Sequence, residues 1–161
     1  MTNNLVFRGC VGLLMTMLAG RLPAIAADAF SGKVTEVRSA EVLLVDYGKG
    51  QYVVRIVGVN APKEGPMAAK ATQFVRDMLL GKEVRARFQG RQNGEMVSRL
   101  YVGDPGIDVG LELVRAGFAR RQQAADADFG YKYGELSKAE AEARKAKRGL
   151  WATAQPQPER K

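Results

Sequence analysis

The segment Val53-Val54-Arg55-Ile56-Val57-Gly58-Val59-Asn60-Ala61-Pro62-Lys63-Glu64-Gly65 gathers the residue types that could handle a phosphate. Arg55 is a lone cation in an apolar strand. Burying an unpaired charge is costly, so it needs an anionic partner or a route to water. The loop that follows is where an enzyme cutting phosphate esters would carry carboxylates, to hold a metal or to act on water. This loop offers Asn60 and Lys63 instead, with Glu64 one residue further on.

Composition narrows the chemistry. The 161 residues include no histidine and a single cysteine, Cys10. Residues 1–26 read as a secretory leader, with Arg8 ahead of the apolar run Val11 to Ala19 and Ala24-Ile25-Ala26 as an A-x-A cleavage site. The apolar run is about half the ~20 residues a spanning helix needs. The expectation is cleavage after Ala26, no stable membrane association, and a periplasmic or secreted protein. Cleavage would remove Cys10, leaving neither thiol nor imidazole. Ser-His-Asp and Cys-His catalysis, disulfides and His/Cys zinc sites are then excluded. Carboxylates, lysine, arginine, hydroxyls or an oxygen-bound metal remain. Losing Arg8 and Arg21 takes the net charge from +8 to +6. Such a basic domain suits nucleic acid or another polyanion, although a basic surface without a partner accounts for the charge equally well.

The elements that must position these residues begin with a β-meander. Phe30 to Arg38, Glu41 to Tyr47 and Gln51 to Val59 read as strands, with Gly48-Lys49-Gly50 as a hairpin turn. Gly65-Pro66 opens a helix whose Ala71, Phe74, Val75, Met78 and Leu79 fall at helical spacing and which Gly81 closes. Glu83 to Gln89 and Met96 to Val102 form a second hairpin across Gln92-Asn93-Gly94. Asp108 caps a short helix through Ala116, and a longer helix runs from Glu135 to Arg148. Residues 152–161 are polar, contain proline and read as a disordered tail. The order βββ-α-ββ-α-α lacks βαβ alternation. It predicts an α+β chain, mainly β with helices, built as a five-stranded OB-fold barrel with three α-helices over residues 27–151.

At this point the chain resembles the thermonuclease (staphylococcal-nuclease-like) family from Phe30 to Trp151. The resemblance is carried by Val109-Gly-Leu-Glu-Leu-Val-Arg-Ala-Gly-Phe-Ala119 and Ala139-Glu-Ala-Glu-Ala-Arg-Lys-Ala-Lys-Arg-Gly-Leu-Trp151. Val54-Arg55-Ile56 followed by Ala61-Pro62, and the helix from Gly65-Pro66 to Leu80-Gly-Lys-Glu-Val84, add to it. It implies an OB-barrel phosphodiesterase that cuts DNA and RNA with calcium. The implied site has two metal-binding aspartates, a glutamate acting on water, and two arginines gripping the phosphate. Carried over, the aspartates fall on Ala40 and Asn60 and the glutamate on Lys63. The arginines fall on Arg55 and, from the turn Arg91-Gln92-Asn93-Gly94-Glu95, on Glu95. Only Arg55 keeps the family's residue type.

These matches set the expectations. Arg55 either binds an anion or pairs with Glu95 or Glu41. Lys63 and Arg91 join Arg55 as anion-binding candidates, without metal or cofactor. Glu64 reads as an acid at a helix N-terminus, Asp46 and Asp104 as turn carboxylates, and Arg85 and Arg87 as a solvated strand face. Tyr131 and Tyr133 read as surface or packing residues, and Arg144 to Arg148 as a basic last helical turn. The expected function is binding of nucleic acid or another polyanion without efficient hydrolysis. The alternatives are a weak divalent-dependent endonuclease using displaced acids such as Glu41 and Glu64, or a protein-interaction module on the same scaffold.

Overall fold

A computed structural model describes residues 29–123 and 129–152; the leader assigned from sequence, and the tail beyond Ala152, lie outside them. Strands β1 (Ala29–Val37), β2 (Val42–Asp46) and β3 (Gln51–Ile56) form the antiparallel meander. Two further strands, Glu83–Gln92 and Glu95–Val102, form the second hairpin. The first of these pairs with β1, and the second returns to β3 in parallel, with Val54 opposite Met96 and Ile56 opposite Ser98. That last pairing closes five strands into a mixed barrel, which leaves no long open edge.

Alternation explains the closure. Val34 from β1, Leu43 and Val45 from β2, Val54 and Ile56 from β3, Val84 and Ala86, and Leu100 are all buried, while intervening residues face outward. Both hairpins turn where sequence chemistry allows. The Asp46 carboxylate accepts the Gly48 N–H at 2.8 Å, and Asn93 and Gly94 both take positive φ, the arrangement of a tight two-residue turn.

Among the described residues, three α-helices cover the barrel: α1 (Gly65–Leu79), α2 (Val109–Arg115) and α3 (Glu135–Lys145). Ala71, Val75 and Leu79 of α1, Val109, Leu113 and Val114 of α2, and Leu136 and Ala139 of α3 join the strand residues in one core. Phe74 of α1 lies on Phe118, ring centroids 5.0 Å apart. Asp108 caps α2, its Oδ1 accepting the Leu111 N–H at 3.0 Å.

Three boundaries differ from the sequence expectation by three residues, one of them the end of the strand Glu83–Gln92, expected at Gln89. The third strand stops at Ile56, because Gly58 takes φ +81° and turns the chain away from β2. The next residues form β4 (Val59–Asn60). The hairpin strands Glu83–Gln92 and Glu95–Val102 are thus β5 and β6, Ile107–Asp108 is β7, and β4 pairs with β8 (Arg120–Arg121). The last helix ends at Lys145 instead of Arg148. The chain there must bring Gly149 against Gly117, where the Leu150 N–H donates to the Gly117 carbonyl at 2.8 Å.

Candidate functional site

Arg55 sits on β3 opposite Val42 of β2 and Val97 of β6. Its Nε donates to Glu95 Oε2 at 2.6 Å and its Nη1 to Glu41 Oε2 at 3.2 Å. The other oxygen of Glu41, Oε1, accepts the Ala61 N–H. Glu41 therefore ties the strand arginine to the Asn60-Ala61-Pro62 loop, and the β4–β8 pairing holds that loop from its other side. The arginine side chain is 32% exposed, Glu41 12% and Glu95 22%. Charge-assisted bonds in a half-buried setting are stronger than surface pairs. With two acids around one cation, the cluster carries a net charge of −1.

Arg55 thus pairs with both of the acids named as its partners from sequence, Glu95 and Glu41. Ala40 presents a buried methyl group, while Asn60, Lys63 and Glu64 are exposed. Glu64 precedes α1 and makes no side-chain cap bond. Arg91 is exposed near the end of β5, paired with Met96 on β6. The structure brings Arg55, Glu41 and Glu95 together and leaves Lys63 and Arg91 outside that contact.

The calcium implied by the resemblance does not fit these residues. A calcium ion takes about 6–8 oxygen ligands. Ala40 and Lys63 offer none from their side chains, and the two carboxylates present are occupied by Arg55 and the Ala61 amide. Among the described residues, no three of Asp, Glu, His and Cys converge.

Sequence reasoning missed a buried arginine. Arg99 of β6 is 7% exposed, and its Nε and Nη2 donate to Asp108 Oδ2 at 3.0 and 2.7 Å. Its Nη1 donates to the Gly130 carbonyl at 2.8 Å, and its guanidinium lies 3.8 Å from the Tyr131 ring centroid. Burial alone would lower the Arg99 pKa, but the hydrogen bond and charge of Asp108 outweigh it, and the net shift is upward. Tyr131 is buried, donates to the Val57 carbonyl at 3.3 Å, and has its pKa pushed up, first by burial and then by Asp108. It is a packing residue, as expected; the side chain of Tyr133 lies outside the described set. An arginine amid Ser98, Leu100 and Tyr101 was the available signal, the same kind that singled out Arg55.

The remaining basic residues are structural or solvated. Arg85 and Arg87 are exposed along β5, and Arg85 donates to the Pro105 carbonyl at 3.3 Å. Arg144 pairs with Glu140 at 3.2 Å and lies 4.3 Å from the Trp151 ring centroid, with Arg120 at 5.1 Å.

Comparison with known proteins supplies the family. A family model described as Staphylococcal nuclease homologue matches residues 53–153. An "Uncharacterized endonuclease" of Escherichia coli O157:H7 is 30% identical over 138 residues, covering 84% of this chain and 86% of that protein. "Probable endonuclease LCL3" of Pyricularia oryzae is 34% identical over 122 residues, covering 64% of this chain and 45% of its own. "Probable staphylococcal-like nuclease CAN1" of Oryza sativa subsp. japonica is 28% identical over 141 residues, covering 86% and 39%. The chain spans less than half the length of these last two relatives.

Proposed function

We propose, for a chain that belongs to the staphylococcal nuclease homologue family, that the barrel binds nucleic acid or a similar polyanion without efficient hydrolysis. The observation that carries this reading is the clamp of Arg55 between Glu41 and Glu95. Hydrolysis needs cations placed where charge develops on the phosphate, and here the guanidinium is committed to two carboxylates. Lys63 and Arg91, both exposed, supply the phosphate contacts; Arg55 adds to them only where a carboxylate releases it. No cofactor is part of this reading. The leader read from residues 1–26 would deliver the domain to the periplasm or the medium, which N-terminal sequencing of the exported protein tests.

A second reading, weak divalent-dependent endonuclease activity through displaced acids such as Glu41 and Glu64, is favoured by the word "endonuclease" in the relatives' names. A zymogram on DNA with calcium or magnesium separates the two. No clearing is expected, and clearing abolished by Glu41→Gln or Glu64→Ala would overturn the binding-only reading. Titration of a labelled oligonucleotide against salt tests binding itself. The two phosphate contacts of Lys63 and Arg91 on a single strand give a slope of about −1.4 in log affinity against log salt. Absence of binding at low salt would leave the barrel as a protein-interaction scaffold.

A further inference from the structure

The inward-facing rows of the barrel end in aromatic side chains. Tyr47 continues the Leu43 and Val45 row of β2, Tyr52 precedes Val54 and Ile56 on β3, and Phe30 opens the row that reaches Val34 on β1. Phe30 and Tyr47 meet edge to face at 4.5 Å, and Tyr47 and Tyr52 tilt together at 5.7 Å. With Met96, Lys49 and Arg91 they line an open cavity of about 290 Å³ at the barrel mouth. That size is at the small end for ligand sites and suits one flat ring.

This floor is fixed in advance. A side chain on Gly32 would collide with the Tyr47 ring, so the glycine is what lets that ring lie across β1. The Tyr47 hydroxyl is buried with no hydrogen-bond partner among the described residues, leaving one polar group of the lining unsatisfied. Tyr52 is 40% exposed although its ring tilts against that of Tyr47. The rim carries Lys49 and Arg91, both exposed, and neither has an ion-pair partner among the described residues.

We propose that this mouth is a base-stacking subsite for single-stranded nucleic acid, with Tyr52 as the exposed platform and Lys49 and Arg91 holding the flanking phosphates. An apolar ligand would leave the two cations unused, and a polyanion without rings would leave the aromatic floor unused. A strand of unpaired nucleotides uses both, whereas in a duplex the base faces are already stacked on one another. The inference rests on the nucleic-acid reading above but not on the family's catalytic positions, since the Arg55 cluster is net acidic.

The test uses the purified protein with a labelled oligothymidylate of about ten nucleotides, within the ~4–16 nucleotide range of an OB-fold site. An abasic oligomer of equal length and charge serves as its counterpart. The oligothymidylate is expected to bind more tightly than the abasic strand. Tyr52→Ala should lower its affinity by about ten-fold and leave abasic binding unchanged, while Tyr52→Phe keeps wild-type affinity. Lys49→Ala and Arg91→Ala should weaken both strands, and Arg87→Ala neither. Equal binding of the two strands, untouched by Tyr52→Ala, overturns the subsite and leaves polyanion binding standing. Failure of both strands to bind at low salt overturns both.

Discussion

Arg55 of β3 and Glu95 of β6 lie 40 residues apart in sequence and meet through a 2.6 Å charge-assisted hydrogen bond across the strand pairing that closes the barrel. The family resemblance assigns a phosphate-gripping arginine to each position. With a glutamate at one of them, the two side chains grip each other. The same pair that would hold an anion from both sides has become a strand-to-strand tie, and Glu41 reinforces it at 3.2 Å.

Releasing that tie should therefore raise anion affinity while lowering stability. Glu95→Ala takes the cluster from a net −1 to neutral and frees the Arg55 Nε. We expect tighter oligonucleotide binding, with the salt slope steeper by about 0.7, the value of one added phosphate contact on a single strand. Because the pair is partly exposed, the loss in unfolding free energy should be modest, about 1 kcal/mol. Paired urea unfolding and salt titrations check both halves. An unchanged slope would show that Arg55 stays withheld by Glu41 alone.

Asp108 does two jobs at once, capping α2 through Oδ1 and holding buried Arg99 through Oδ2. Asp108→Ala loses the cap, worth about 1 kcal/mol, and leaves a guanidinium that is 7% exposed with Glu135, at 4.0 Å, as its remaining carboxylate. Breaking a buried pair from one side costs about 3–5 kcal/mol. Asp108→Ala should thus destabilise more than Arg99→Met, which removes the charge and keeps a similar apolar stem. Urea midpoints of the two variants decide it; equal losses would mean that Arg99 finds compensation in the Gly130 carbonyl and the Tyr131 ring.

How much of this was legible in the sequence follows from how local each cause is. Alternation in Val34, Leu43, Val45, Val54 and Ile56, and turn glycines such as Gly48 and Gly94, act over a few residues, so the barrel and its hairpins could be read directly. Arg55 stood out because its neighbours are apolar, and Glu95 was named as a partner because the family resemblance sets the two positions together. The Glu41 contact with the Ala61 amide depends on where a loop returns in space. Arg99 could be picked out from its neighbours on β6 as Arg55 was, but its cover comes from Gly130 and Tyr131, some thirty residues away. The early end of α3 has the same kind of cause, a backbone contact with Gly117.

That contact gives the third prediction. Gly117 and Gly149 have φ of +77° and +49°, and a Cβ on either would collide with the other segment's backbone. The left-handed conformation alone costs a non-glycine residue about 1–2 kcal/mol, and the collision adds to it. Gly117→Ala should destabilise by more than about 2 kcal/mol. Gly130→Ala, where φ is +70° but nothing lies within 4 Å, should cost only the conformational part. Thermal unfolding of both distinguishes backbone strain from lost docking of the chain end; equal costs would rule out docking as the larger effect.

The last prediction concerns alkaline stability. Burial raises the pKa values of Tyr47 and Tyr131 well above the ordinary phenol range. In the unfolded chain both phenols ionise near pH 10. Below that value both states hold their protons and the shift costs nothing. As pH rises past 10 the unfolded state releases protons that the folded state keeps. Each such group then removes up to about 1.4 kcal/mol of stability per pH unit until the folded pKa is reached. Tyr47→Phe tests this cleanly, because its hydroxyl is buried with no partner among the described residues. The variant should match or exceed wild-type stability at neutral pH, since it removes an unsatisfied buried group. Its unfolding free energy should also fall less steeply above pH 10. An unchanged alkaline slope would mean that the Tyr47 phenol reaches water in the folded protein and titrates there as it does in the unfolded chain.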